Sequence, residues 1–149
     1  MAIPRAKGGT REYLDTSETF RHFQILSNEL ASPKVLSCPA DVRIPAQNFA
    51  ALANTNVSYF VGLDAEETRP IMLLSGDRNL SIAKSPDQAG TGEQKWIIMT
   101  PNSTATWGQG QHYPDGNIVL ADGSVLSTTP PQLQTLVGNS RYTNRIAFP

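Results

Sequence analysis

One cysteine, Cys38, stands among 149 residues, and the formal net charge is only −1. A single thiol excludes an internal disulfide and a multi-cysteine zinc site. Near-neutral charge with scattered Lys and Arg excludes non-specific attraction to nucleic acid or an anionic membrane surface. Long apolar runs are also missing: stretches such as Ile71–Leu74 and Trp96–Met99 fall far short of the roughly 20 residues that span a bilayer. The opening segment, Met1-Ala-Ile-Pro-Arg-Ala-Lys-Gly-Gly9, has no signal-peptide core, so any export signal is expected to be absent or removed.

Apolar residues make up 39% of the chain, which has the length of one domain with a real core. Glycine and proline, 11 of each, favour a loop-rich α+β or β-rich domain. Pro4 and Gly8-Gly9 mark residues 1–14 as a flexible lead-in, leaving 15–149 as the folded domain. Asp15 and Glu18 make a capping-box-like pair, and Phe20, Phe23, Leu26 and Leu30 then form an amphipathic stripe, predicting a helix that ends before Pro33. His22 and Asn28 fall off that stripe. Residues 34–39 read as extended, and Pro45 introduces a second helix over 46–53. From Asn56 the period becomes two, predicting strands near 57–61, 70–75 and 95–100, with 76–79 as a turn and 85–93 as a loop. Pro130-Pro131 start a short helix through Val137, closed by Gly138-Asn139. Ile146–Phe148 form an apolar tail.

The segment His112-Tyr-Pro-Asp-Gly-Asn-Ile-Val-Leu-Ala-Asp-Gly-Ser-Val125 is the most informative. Pro114-Asp115-Gly116 predicts a reversal, and Asp122-Gly123 a two-residue hairpin loop setting Leu120 opposite Val125 and Val119 opposite Leu126. Apolar pairs on both faces then place this β-meander, about 111–128, inside a sheet.

Candidate chemistry is sparse. His112 and Asp122 flank one strand and could act as a base with its orienting carboxylate, in a small hydrolase. Asp122 also fits its turn for backbone reasons, and His112 fits a hydrogen-bonding anchor, which favours architecture over catalysis. Ser81-Ile-Ala-Lys84 has serine–lysine hydrolase spacing without the further elements such enzymes need. Gly108-Gln-Gly110 lacks the Lys-Ser/Thr of a phosphate loop. Asp64, Glu66, Glu67, Asp77, Asp115 and Asp122 are oxygen donors that a fold could gather around Ca²⁺, but their order matches no EF-hand. Asp77 can pair with Arg78 or bond backbone amides. Cys38 reads as a small buried apolar residue, since nucleophilicity requires a positive microenvironment that the sequence does not supply. Tyr13, Trp96, Trp107, Tyr113 and Tyr142 would serve a surface glycan- or protein-binding module if they share one side.

His112, nine intervening residues and Asp122-Gly123 resemble the H-x9-D-G signature of pilin-like and type II secretion pseudopilin-like proteins of planctomycetes and verrucomicrobia. Cys38-Pro-Ala-Asp41 resembles the Cys-Pro-Ser-Asp segment of that family, and Asn56–Phe60 and Leu74–Asn79 resemble its central strands. The similarity spans roughly residues 20–149. It implies an α+β, pilin-like fold with an N-terminal helix packed on an antiparallel sheet and a C-terminal β-meander. It also implies a non-enzymatic structural subunit of an extracytoplasmic (periplasmic or cell-surface) type II secretion or type IV pilus-like assembly. Partners would be other pilin-like subunits or secretion proteins, not nucleic acid, with membrane contact only through an N-terminal hydrophobic helix that this chain lacks. His112, Asp122 and Gly123 would then be structural. No cofactor is expected beyond the Ca²⁺ that some pseudopilins hold, for which Asp115 and Asp122 are the nearest candidates.

Overall fold

The computed structural model describes residues 3–83 and 96–149. The expected 85–93 loop and Lys84 of the Ser-x-x-Lys spacing lie outside the described residues. Strands β1 (Tyr59–Gly62), β2 (Leu73–Asp77), β3 (Leu80–Ile82), β4 (Ile97–Met99), β5 (Ala105–Trp107), β6 (Gly116–Leu120), β7 (Val125–Thr128) and β8 (Asn144–Ala147) accompany helices α1 (Phe20–Gln24) and α2 (Pro130–Asn139). A six-stranded sheet runs β4-β8-β1-β2-β6-β7, and β3 and β5 form a separate ribbon. All pairs in both are antiparallel. The fold is therefore α+β with an antiparallel sheet and few helices.

Strand alternation divides the sheet into two faces. One carries Phe60, Ile118 and Ile146 into a core closed by Leu80, Ile82, Ala105 and Trp107 of the ribbon and by Leu133 and Val137 of α2. Helix α2 follows the predicted start. Its Gln132 carboxamide accepts from the Thr129 N–H at 2.9 Å, and Gln134 ties it to β5 by accepting from the Ala105 N–H at 2.9 Å. The helix runs through Gly138-Asn139 rather than closing there, and Arg141 takes the left-handed conformation at φ 55°.

On the other face, Val61, Leu63 and Ala147 pack with Phe23 and Leu14. The apolar stripe thus reaches the sheet, but the expected 15–31 helix is reduced to five α-helical residues. Beyond Gln24 the chain continues mainly in tight turns closed by bonds such as Leu26 N–H to Phe23 O and Ser27 N–H to Gln24 O. Ser27 and Asn28 are weak helix formers that favour such turns. The changed winding buries His22, at 6% exposure, and leaves Leu26 at 41%. The second expected helix is a single 3-10 turn, Phe49–Ala51. The apolar tail is an inner strand, β8, between β4 and β1.

The predicted meander is a hairpin, β6–β7, preceded by a turn. Leu120 N–H donates to Ser124 O, so the loop is the three residues Ala121–Gly123, with Gly123 at φ 85°. That is a turn closed by a left-handed glycine, and it moves the register by one residue, to Val119 opposite Val125 and Ile118 opposite Leu126. A one-residue shift exchanges the faces of every β7 side chain. Strand β7 is also the outermost strand and not an inner one, with Val125 at 68% exposure. The reversal before β6 closes through Asp115 N–H to His112 O, one step ahead of the predicted turn. Gly116 belongs to β6, where an added Cβ would sit 2.4 Å from the Trp107 indole.

Candidate functional site

Three of the sequence-distant segments that carry the resemblance meet at one end of β1, β2 and β6, and the His112 turn closes over them. Strand β2 extends through Asp77, which the sequence reading placed in a turn, and buries that carboxylate at 1% exposure. Its Oδ2 accepts from the Asn117 backbone N–H at 2.7 Å and side-chain Nδ2 at 3.2 Å. His112 Nδ1 lies 2.9 Å from the same oxygen. A carboxylate can only accept here, so Nδ1 carries the proton and Nε2 is left without one. The 3.1 Å approach of Asn117 Nδ2 to Nδ1 is two donors converging on one acceptor.

His112 Nε2 lies 3.7 Å from Cys38 Sγ. Cys38 is 5% exposed, beneath the exposed Pro39 and Ala40. Pro39 shapes a turn closed by Asp41 N–H to Cys38 O, and Ala40 N–H donates to the sulfur at 3.4 Å. The next residue, Asp41, accepts from Arg78 Nε at 2.7 Å and Nη2 at 2.5 Å. The Arg78 guanidinium holds the Asp41 carboxyl down at about 2. Arg43 Nε stands 3.9 Å from the same carboxylate, and burial lowers the pKa of its guanidinium. Its Nη1 donates to the Asn54 and Val57 carbonyls.

Ser58, fully buried, joins these parts. Its hydroxyl accepts from Cys38 N–H at 3.0 Å, and its carbonyl accepts from Arg78 N–H and Gln111 Nε2. Asn79 Nδ2 donates to the carbonyls of Gly108 and Gln111, both at 2.9 Å. These bonds clamp the loop that delivers His112, whose φ of 46° is a left-handed conformation uncommon outside glycine. A groove of about 280 Å³ opens beside the imidazole, lined by Tyr59, Ser75, Val119 and Val125 as well as Asp77 and Asn117. Burial raises the Tyr59 pKa, with further contributions from Cys38, Asp77 and Asp41.

His112 does not meet Asp122. The two stand before and after β6, with the whole strand between them. Asp122 Oδ1 accepts from Ser124 N–H at 2.9 Å and Oγ at 2.6 Å, which hold its carboxyl below its ordinary value. Asp122 and Gly123 fasten their own turn, whereas His112 fastens to Asp77. Asp115 and Asp122 are likewise at opposite ends of β6 and do not form one cation site. Asp64 binds Arg145, and Glu66 binds Arg69. Among the described residues no group of three or more His, Cys, Asp or Glu is placed to hold a metal ion. Of the aromatic candidates, Trp107 is core, while Trp96, Tyr142 and Tyr13 face Arg145, Arg69 and Arg21 respectively.

Sequence reasoning missed Asp77 as the partner of His112, Asp41 as the partner of Arg78, and the hub role of Ser58. The available signal was that Cys-Pro-Ala-Asp, Asn-Val-Ser-Tyr-Phe and Ser-Gly-Asp-Arg-Asn each carried one of these residues. No family model matches the chain, and neither a curated protein nor a solved structure matches it.

Proposed function

We propose that the chain is a structural subunit of an extracytoplasmic, pilin-like assembly, working through protein–protein contacts. The observation that carries this reading is the outer edge of the sheet. Strand β7 presents Val125 at 68% and Leu126 at 38% exposure on the outermost strand, without the charges or prolines that usually blunt such an edge. Beside it runs a groove of about 450 Å³ between β7 and α2, lined by Leu126, Pro131 and Leu136. An edge strand with an adjoining apolar groove suits a partner that adds a strand and seats a side chain. The resemblance of the Cys38, Ser58, Asp77 and His112 segments to pseudopilin-like sequences supports the same reading, and the hydrogen-bonded cluster would then stiffen the end of the sheet opposite the β6–β7 turn.

The test is a Val125→Lys/Leu126→Lys variant expressed in the native host. The proposal expects the wild-type protein in the sheared cell-surface fraction, and a folded variant released from it. Wild-type protein confined to the cytoplasm, or a variant that stays in the assembly, would overturn it.

A further inference from the structure

We propose that the occupant of the outer edge is a second copy of this chain, its β7 paired antiparallel with the first β7 about a two-fold axis. The inference rests on the reading of β7 as a docking edge and names what docks there. The two six-stranded sheets would then run on as one.

The backbone sets the register. Leu120 N–H donates to Ser124 O, and bonded and non-bonded pairs alternate along an antiparallel ladder. With Ile118 opposite Leu126 and Gly116 opposite Thr128, those two pairs are bonded as well, so Val125 and Ser127 direct their N–H and C=O groups away from β6. No strand among the described residues lies on that side. A second β7 satisfies all of these groups in one register, with Val125 of each copy opposite Ser127 of the other and each pair exchanging both bonds. Sliding the copies by two residues keeps only one such pair within the strand, and sliding by one sets an outward-facing residue opposite an inward-facing one. Leu126 then falls opposite Leu126 at the axis as a non-bonded pair, the closer kind, with Cα atoms about 4.5 Å apart. Both leucines lie beside the groove of about 450 Å³ that Leu126, Pro131 and Leu136 line in each copy.

Charge decides between occupants that could offer the same backbone. From Gly123 to Ser140, through β7 and α2, the sequence carries no charged residue. A partner with a charged side chain here would lose water from that charge and find no counter-charge. A second copy brings a face equally free of charge, with no like charges to repel, and a two-fold interface requires this same-to-same match. Val125, at 68% exposure, and Leu126, at 38%, supply the apolar surface that pairing removes from water.

The experiment uses the full chain. Sedimentation equilibrium between about 10 μM and 1 mM, the range suited to a small contact, should show the mass rising from 16.2 kDa toward twice that value. Ser127→Pro removes an outward N–H and no bond to β6, so it should weaken association by about 10-fold or more while circular dichroism shows the fold kept. Leu126→Cys should form, on mild oxidation, a disulfide between the two introduced thiols, located by mass spectrometry, since a Cα separation of about 4.5 Å lies within disulfide reach. Ser124→Cys, whose two copies stand about 13 Å apart in this register, should link at least about 10-fold more slowly. A mass of 16.2 kDa at every concentration, association unmoved by Ser127→Pro in folded protein, or Ser124→Cys linking as fast as Leu126→Cys would overturn the proposal. The surface-fraction test separates the two readings. A monomeric chain that Val125→Lys/Leu126→Lys still releases from the cell surface keeps the assembly and gives the edge to a different protein, whereas a two-fold dimer confined to the cytoplasm does the reverse.

Discussion

Replacing Gly116 by alanine is expected to destabilise the protein by about 2–4 kcal/mol, combining overpacking of about 1–3 kcal/mol with a hydrogen bond worth about 1 kcal/mol. A Cβ built there lies 2.4, 2.5 and 2.6 Å from three indole atoms of Trp107. The ring cannot retreat freely. It is 3% exposed in the main core, and its Nε1 donates to Thr128 Oγ1 at 3.2 Å, while Thr128 pairs with Gly116 across β6–β7. Relief requires either breaking that bond or moving the start of β6, and the latter pulls Asn117 N–H from Asp77. Urea unfolding followed by circular dichroism measures the loss. A Trp107→Leu background isolates its cause: without the indole, Gly116→Ala should cost less than about 1 kcal/mol, so the two changes couple strongly. A cost below about 0.5 kcal/mol in the wild-type background, or one unchanged without the indole, would refute the reasoning.

Asp41→Asn is expected to cost about 2 kcal/mol at pH 7, from a carboxyl held near 2 against an ordinary 3.8. Because the folded pKa is depressed, that stability is present above pH 4 and is lost as pH falls through about 2, so variant and wild type should converge there in acid-unfolding curves. His22 is buried and its pKa is lowered to about 4 by that burial. The unfolded chain therefore binds more protons between about pH 6.5 and 4, and stability should fall by up to about 3 kcal/mol as pH drops through that window. His22→Leu should remove that component, measured as the difference between variant and wild-type urea midpoints at pH 7 and pH 4.5. Gly123→Ala meets nothing within 4 Å of the new Cβ, so its cost should be the left-handed backbone alone, about 1–2 kcal/mol by thermal unfolding.

Local signals were legible where local physics decides. Pro130-Pro131 start α2, alternation from Asn56 leads into β1, and Asp122-Gly123 marks the turn between β6 and β7. The single extra loop residue was not visible, because both hairpin forms accept Asp-Gly, and it exchanged the faces of Val125 and Leu126. Gly116 looked like a turn glycine because Pro-Asp-Gly is a turn signal, whereas its reason lies in Trp107, a neighbour only after folding. The Phe20–Leu30 stripe correctly marked an apolar face, but spacing alone did not reveal that the helix gives way to tight turns beyond Gln24. The site was the least legible part. Cys38, Asp77 and His112 are separated by whole strands, and sheet order rather than spacing decides that His112 meets Asp77 instead of Asp122.

The central claim, that Asp77 holds His112 with Nε2 directed at Cys38, is tested most directly by long-range ¹H–¹⁵N NMR of the His112 ring. The account predicts a proton on Nδ1 whose signal changes in Asp77→Asn and is unmoved in Asp122→Asn. A bare Nδ1 in the wild-type protein, or a ring that responds to Asp122 and not to Asp77, would contradict it.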